Sequence, residues 1–401
     1  MKKLLSNVRV IDFSWIGAGS YTTKILADLG ADVIKIESSQ RLDTLRVTKP
    51  FKDGKPGVNR SGYFADRNSS KRSVTLNLKT VRGLELAKRL IVDAHLVTNN
   101  FTPGVMEKLG LGYDTLKALA PRLIFAAMSM QGAAGPAKND LGYGLTIAAL
   151  TGLQHMTGLP DRQPAGTGTN YPDHIPNPGH GAFAILAALR HQRRTGQGQF
   201  IDLAQMESTL AMVGPSLMNF LVNDSIDGRR GNAHPGRAPS GVYPCAGKDR
   251  WITIEISDDA QWQTLTHVLG MQDYPEWNDV EDRLNQREAI DAALSAVTSS
   301  YDMMQLATTL QNAGVAAGPV YDARDVMIDP QLKQRGHWVT MNHPEMGPST
   351  YNSAPYRFSG AQSEPTSPAP LLGQHTSEVC HDLLGLDDTE IAVLYADGVL
   401  S

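Results

Sequence analysis

The chain has 401 residues, of which 41% are hydrophobic and 19% charged, with a formal net charge of −4. That length accommodates two domains, the composition is that of a soluble globular protein, and the weak negative charge supplies no global basic field for nucleic acid. Two cysteines, Cys245 and Cys380, exclude a disulfide framework and a zinc cluster and suit free thiols in a reducing compartment.

At the N-terminus Asn7 and Arg9 interrupt the apolar stretch, so no signal peptide is expected. No apolar run reaches the roughly 18 residues of a membrane span, and the expected location is cytoplasmic. Residues 8–13 read as a buried strand, followed by a loop over 14–20 and a helix over 21–29 that stops at Gly30. The next strand covers 31–37, and this strand–loop–helix–strand order predicts a parallel, doubly wound unit. Helices over 82–92 and 106–120 and strands over 96–98 and 123–128 continue it, making the first half a Rossmann-like α/β layer. An apolar helix over 143–155 precedes a loop rich in Gly, Pro and Thr over 158–178. A helix from Ala182 stops at Gly196 behind the basic turn of Arg193 and Arg194. A strand over 199–203 and a long helix over 206–221 follow, with Met206, Met212 and Met218 as core filler. Composition changes near Asn223, where Gly, Arg, Pro and His mark a linker or mobile loop up to Gly241. Beyond it lie a strand at 251–256, several helices and a strand at 314–320. A proline-dotted, loop-rich segment then closes with a helix over 389–395. The expected organisation is a large Rossmann-like domain over 1–222, a smaller α/β domain with its linker over 223–325, and a return to the large domain over 326–401.

Four segments bear on chemistry. Gly17-Ala-Gly-Ser20 invites a dinucleotide reading, but Thr22 stands where the fingerprint needs its third glycine, so the glycines read as close helix–strand packing and no NAD is expected. Arg67-Asn-Ser-Ser-Lys-Arg72 runs into a strand, as either a phosphate cradle or a solvated basic turn. Asn99-Asn-Phe-Thr-Pro-Gly104 lies at the ligand-binding edge of an open α/β sheet, where Phe101 can stack on an adenine ring. Asp173 sits in a turn bracketed by Pro172, Pro176 and Pro178, which hold off the following helix, and there a carboxylate suits a nucleophile but on position alone reads first as an ordinary cap. His174 and His180 lack metal-ligand spacing, and no metal is expected.

The order of segments resembles the class III CoA-transferases, a family that also includes alpha-methylacyl-CoA racemase. The resemblance rests on Leu29-Gly-Ala-Asp-Val-Ile-Lys-Ile-Glu37, Lys71-Arg-Ser-Val-Thr-Leu-Asn-Leu-Lys79 and Asn100-Phe-Thr-Pro-Gly-Val-Met-Glu-Lys-Leu-Gly-Leu-Gly-Tyr113, with Thr195-Gly-Gln-Gly-Gln-Phe-Ile-Asp202 and Gly231-Asn-Ala-His-Pro235 beyond. It implies a CoA-transferase in which Asp173 is the covalent nucleophile, passing through a mixed anhydride and an aspartyl-CoA thioester. It implies CoA contacts at Lys71, Arg72, Asn100, Phe101 and Lys108, with Ile16 and Gly17 beside the reacting thioester. It also implies an acyl-CoA donor, a carboxylic-acid acceptor and an interlocked, ring-threaded homodimer. A CoA-binding subunit of a heteromeric transferase and an acyl-CoA racemase are the alternatives. Formyl-CoA transferases carry glutamine at the place of Gly17 and arginine at that of Ser38, which argues against formyl chemistry. The racemase branch has a histidine base at the place of Tyr143, and a tyrosine is a poor substitute. The polar turn at Asp173 is closer to the branch acting on carnitine-like, dicarboxylic or aromatic acids. Arg229, Arg230 and Arg237 are either partners for a second substrate carboxylate or solvated linker residues.

Overall fold

The structure is a computed structural model, and it describes residues 3–271 and 274–401. The chain forms two compact units. The larger comprises Met1–Gln154, Gly166–Ile226 and Gln331–Ser401, and the smaller comprises His155–Ala165 and Asp227–Pro330.

In the larger unit six strands, β1 (Arg9–Asp12), β2 (Asp32–Glu37), β3 (Arg72–Thr75), β4 (Leu96–Asn99), β5 (Ile124–Ala127) and β6 (Phe200–Asp202), form one parallel sheet in the order β3-β2-β1-β4-β5-β6. The apolar residues of β1, β2, β4 and β5 are buried on both faces of the sheet. Alternation by twos divides each strand between two cores. Ile11, Ile34, Val97 and Phe125 join one core, and their neighbours Val10, Val33, Leu96 and Ile124 join the other. The helices between the strands are α1 (Ile16–Asp28), α2 (Gly62–Asn68), α3 (Val81–Val92), α4 (Val105–Lys108), α5 (Tyr113–Leu119), α6 (Gly144–Leu150), α7 (Tyr171–His174) and α8 (Pro176–Thr195). Leu26 of α1 and Ile185 of α8 fill the second core, while Leu86 and Leu90 of α3 fill the first. Each such side chain taken out of water contributes about 1.5–3 kcal/mol.

After β6 come α9 (Gln205–Leu210) and α10 (Gly214–Asn223). The smaller unit holds an antiparallel sheet β7 (Ser240–Pro244), β8 (Trp251–Glu255) and β9 (Ala316–Pro319), in that order. Its helices are α11 (Asp259–Leu269), α12 (Val280–Asn285), α13 (Arg287–Thr298), α14 (Met303–Asn312) and α15 (Ala323–Ile328). Trp262, Ile252 and Leu310 lie at its core. The chain returns through α16 (Pro330–Gln334), a hairpin of β10 (Trp338–His343) and β11 (Gly347–Asn352), and the helices α17 (Thr376–Leu384) and α18 (Asp388–Ala396). Val379 and Leu394 from these last helices seal the first core.

Several sequence expectations are corrected here. The loop expected over 14–20 turns helical at Ile16, since Gly17 and Gly19 sit inside α1. The prolines expected to hold off the helix before Ala182 instead start two helices. Pro172 sits in the first turn of α7 and Pro176 opens α8, because a first-turn proline lacks only an N–H that has no helical partner anyway. The single helix expected over 106–120 breaks between Lys108 and Tyr113, where Gly110 adopts φ +71°. The one over 206–221 breaks ahead of Gly214 and Pro215. Gly196 stops α8 in the left-handed conformation, as expected. Among the described residues, no helix is long and apolar enough to cross a membrane.

Candidate active site

A cavity of about 660 Å³ opens at the carboxyl ends of β1 to β5. Ligands bind there in open parallel sheets, where the strand order reverses between β1 and β4. Trp15, Ile16 and Gly17 line it from β1, Ser38 and Arg41 from β2, Leu78 and Lys79 from β3, Asn100, Phe101 and Lys108 from β4, and Lys138 and Tyr143 from β5. Asp173 completes the lining.

Asp173 is carried on the single turn α7 and is only 6% exposed. Two glycines let it approach the backbone. A Cβ on Gly17 would stand 2.8 Å from the Asp173 Cβ, and one on Gly144 would stand 2.8 Å from its Oδ2. The Gly144 N–H, at the first position of α6, donates to the carboxylate. Burial pushes the Asp173 carboxyl up to about 6, although the Gly144 N–H and the Arg67 guanidinium oppose the rise. The result is a poorly solvated carboxylate facing a cavity, which is the environment of a nucleophile or a proton carrier.

The wall beside it is braced from below. Ile16 has φ 59°, a conformation a β-branched residue adopts only under constraint. Its N–H donates to Asp43 Oδ1 at 3.2 Å, and Asp43 pairs with Lys35 at 3.0 Å. Lys35 also donates to the Ser14 carbonyl at 2.5 Å. Asn100 holds the same turn from the other side, accepting from the Trp15 N–H at 2.8 Å and donating to the Trp15 carbonyl at 2.7 Å. Phe101 meets the Trp15 ring edge-on, with centroids 5.9 Å apart, and Arg41 lies 5.0 Å over that ring.

The structure thus brings Ile16, Gly17, Asn100, Phe101, Lys108 and Asp173 to one cavity. Lys71 and Arg72 stand elsewhere. Lys71 is buried, donating to Ser20 O at 2.8 Å and Asn68 Oδ1 at 2.9 Å and pairing with Asp12 at 3.3 Å. Burial opposes the Asp12 charge, but Lys71 and Lys35 together hold its carboxyl below the ordinary range. Arg72 forks onto Asp32 at 2.9 and 2.7 Å and reaches Glu378 at 3.2 Å. Lys71 precedes and Arg72 begins β3, at the end of the sheet away from the cavity, whereas Lys79 lies past its far end. Sequence reasoning passed over Lys79, Lys138 and Arg41 as cavity cations. Lys79 closes a quoted motif directly after a strand, and that position was the available signal.

In the smaller unit Arg229 donates to the carbonyls of Arg162 and His155, each at 3.0 Å. Arg230 pairs with Asp227 at 2.5 Å, and Arg237 pairs with Glu255. All three guanidinium groups already have protein partners. Ser38 also lines the cavity, and its hydroxyl donates to the Ser401 carbonyl at 2.9 Å.

Fold and cavity define a parallel α/β protein whose ligand site sets the buried Asp173 carboxylate among several cations. Residues 5–376 match CoA-transferase family III, and the chain belongs to that family of enzymes. It is 34% identical over 396 residues to the probable CoA-transferase Rv1866 of Mycobacterium tuberculosis, covering 96% of this chain and 49% of that protein. The chain therefore spans about half the length of that relative. It is 31% identical over 399 residues to the succinyl-CoA–D-citramalate CoA-transferase of Chloroflexus aurantiacus, covering 99% of this chain and 98% of the relative. A crystal structure of a CAIB/BAIF family protein from Brucella suis superposes with a TM-score of 0.87 at 32% identity, over 96% of this chain and all of the other.

Proposed function

We propose that the protein moves CoA from an acyl-CoA thioester to a carboxylic acid, with Asp173 as the covalent nucleophile. The observation that carries this reading is the Asp173 carboxylate, buried and desolvated in the wall of the cavity. A carboxylate oxygen adds to the thioester carbonyl, and the C–S bond breaks with its electron pair leaving on sulfur. This yields an aspartyl–acyl anhydride and CoA thiolate. The thiolate attacks the aspartyl carbonyl and expels the donor acid as its carboxylate, leaving an aspartyl-CoA thioester. The acceptor carboxylate attacks that thioester, giving a second anhydride and thiolate. Attack of the thiolate on the acceptor carbonyl releases the new acyl-CoA and regenerates Asp173. Anhydride and thioester are both activated acyl groups, so no step needs an outside energy source.

Ile16 and Gly17 stand beside the reacting carbonyl in this reading; the Ile16 N–H is held by Asp43, and the positive end of α1 from Gly17 onward favours a developing oxyanion. Phe101 and Trp15 offer aromatic surface to the adenine. Arg41, Lys79, Lys108 and Lys138 offer cations to the phosphates, and the pairing of Lys71 and Arg72 with protein carboxylates removes them from that set. The named substrates of the Chloroflexus relative support a dicarboxylic acceptor.

The strand order supports a Rossmann-like description of the larger unit. The assembly in this reading is an interlocked homodimer. Supporting it, α10 has no buried residue, and it exposes Phe220, Leu221 and Val222. The two buried free cysteines suit a reducing cytoplasm.

The test is direct. The protein is incubated with a panel of acyl-CoAs, quenched and digested, and the peptide carrying Asp173 is weighed for added CoA or acyl mass. An adduct is expected with at least one donor and none in Asp173→Ala. Full activity in Asp173→Ala with no adduct from any donor would sink the mechanism. An adduct appearing only after a second polypeptide is added would support the heteromeric alternative.

A further inference from the structure

We propose that Arg67 is the positioning residue of the nucleophile: it ties down the helical turn that carries Asp173 and supplies a positive charge that favours the ionised form of this buried carboxyl. The inference rests on the reading of Asp173 as the nucleophile and adds a residue outside the cavity lining.

Arg67 sits in the last turn of α2 and is 8% exposed. Its Nη2 donates to His174 Nδ1 at 3.0 Å, and its Nη1 pairs with Asp66. The guanidinium lies 4.4 Å over the Tyr21 ring and 5.7 Å from the Tyr63 ring centre, so aromatic faces fix its plane. A guanidinium only donates, so His174 Nδ1 must accept and the ring proton resides on Nε2. Nε2 then faces Tyr63 Oη at 3.5 Å. Protonating Nδ1 would set an N–H against the guanidinium. Consistently, burial and Arg67 hold His174 down to about 4, so the Arg67–His174 bond persists across the working pH range.

That bond matters because α7 is only four residues long. A single turn has no cooperative stability of its own and takes its position from its attachments. His174 follows Asp173 directly, so the Arg67 bond anchors the backbone that aims the carboxylate.

The charges around Asp173 are few. From α2 come Arg67, Asp66 and Tyr63, on α7 itself is His174, and α1 brings Tyr21. The residues of α6 are apolar or neutral, and on α8 the nearest titratable group, His180, bonds its own helix at Pro176 O, 2.8 Å away. With His174 neutral, Arg67 is the cation whose field reaches Asp173. Its counterion Asp66 is the more exposed partner, with side-chain exposures of 36% against 10%, so solvent screens the negative charge more than the positive one.

The experiment follows the rate of Asp173 adduct formation from pH 5 to 9 by quench and mass spectrometry, with melting temperatures in parallel, for wild type, Arg67→Gln and Arg67→Lys. In wild type the rate should rise through an acid limb near pH 6. In Arg67→Gln that limb should move up by roughly half a unit or more, as loss of a nearby opposite charge requires. Arg67→Lys keeps the charge but loses the planar fork, so its limb should stay while its high-pH rate falls about tenfold. An unmoved limb in a folded Arg67→Gln overturns the electrostatic role, and an Arg67→Lys rate equal to wild type overturns the positioning role. Absence of any wild-type adduct overturns the nucleophile reading and this one with it, whereas a wild-type adduct with both variants unchanged overturns this one alone.

Discussion

Replacing Asp173 with asparagine keeps the shape of the side chain, and its amide oxygen can still accept from the Gly144 N–H, so the main change is loss of the charge. Burial raises the carboxyl from an ordinary value near 3.8 to about 6. Each pKa unit corresponds to about 1.4 kcal/mol, so the buried charge costs the folded state roughly 3 kcal/mol where the group is ionised in both folded and unfolded chains. That condition holds above about pH 6. Between 6 and 3.8 the folded protein takes up the proton first and the cost shrinks, and below 3.8 both states are neutral and it vanishes. Asp173→Asn should therefore be inactive yet more stable than wild type at pH 8, with a melting temperature higher by on the order of 5 °C. The gap should narrow steadily as pH falls from 6 to 5. Paired calorimetric melts at pH 8, 7, 6 and 5 check this. A gap equal at pH 8 and pH 5, or a variant less stable than wild type at pH 8, would refute the claim that the folded state pays to desolvate this carboxylate.

Three further outcomes are expected. Gly17→Ala puts a methyl 2.8 Å from the Asp173 Cβ and 3.2 Å from its carboxyl carbon, so adduct formation should slow at least about tenfold with an unchanged circular dichroism spectrum. A full rate in that variant would mean the contact yields at no cost. Lys71→Ala removes the cation paired with the buried Asp12, leaving it Lys35 nearby and the Thr23 hydrogen bond, and should cost about 3 kcal/mol in denaturant unfolding. A small stability loss with a large rise in acyl-CoA KM would instead return Lys71 to the ligand. Lys138→Ala should raise the acyl-CoA KM roughly tenfold at low salt, with the difference shrinking as salt is added. A KM that does not depend on salt in either protein would remove Lys138 from the phosphate site.

Much of the sheet was legible in the sequence because strands covered on both faces carry short, strongly apolar runs between turn signals. Residues 31–37 and 123–128 stand close to the observed β2 and β5 for that reason. Asp173 was legible as a position, since its spacing from the following helix and the surrounding motifs are local properties. The sequence alone left open which of its charges face the cavity. A lysine before a strand looks the same whether it meets a phosphate or a carboxylate, and Lys71 meets Asp12, which lies 59 residues away in sequence. Arg72 finds Asp32 across the same sheet edge. Lys79, Lys138 and Arg41 gather at one mouth only because the order β3-β2-β1-β4-β5-β6 brings the ends of separate strands together. The bond between Arg67 and His174 spans 107 residues. Local periodicity determined most of the elements, and the resemblance of the motifs to a known family singled out Asp173 as the proposed nucleophile. Tertiary packing decided how each buried charge was paired, because a charge removed from water must find its partner in space rather than along the chain.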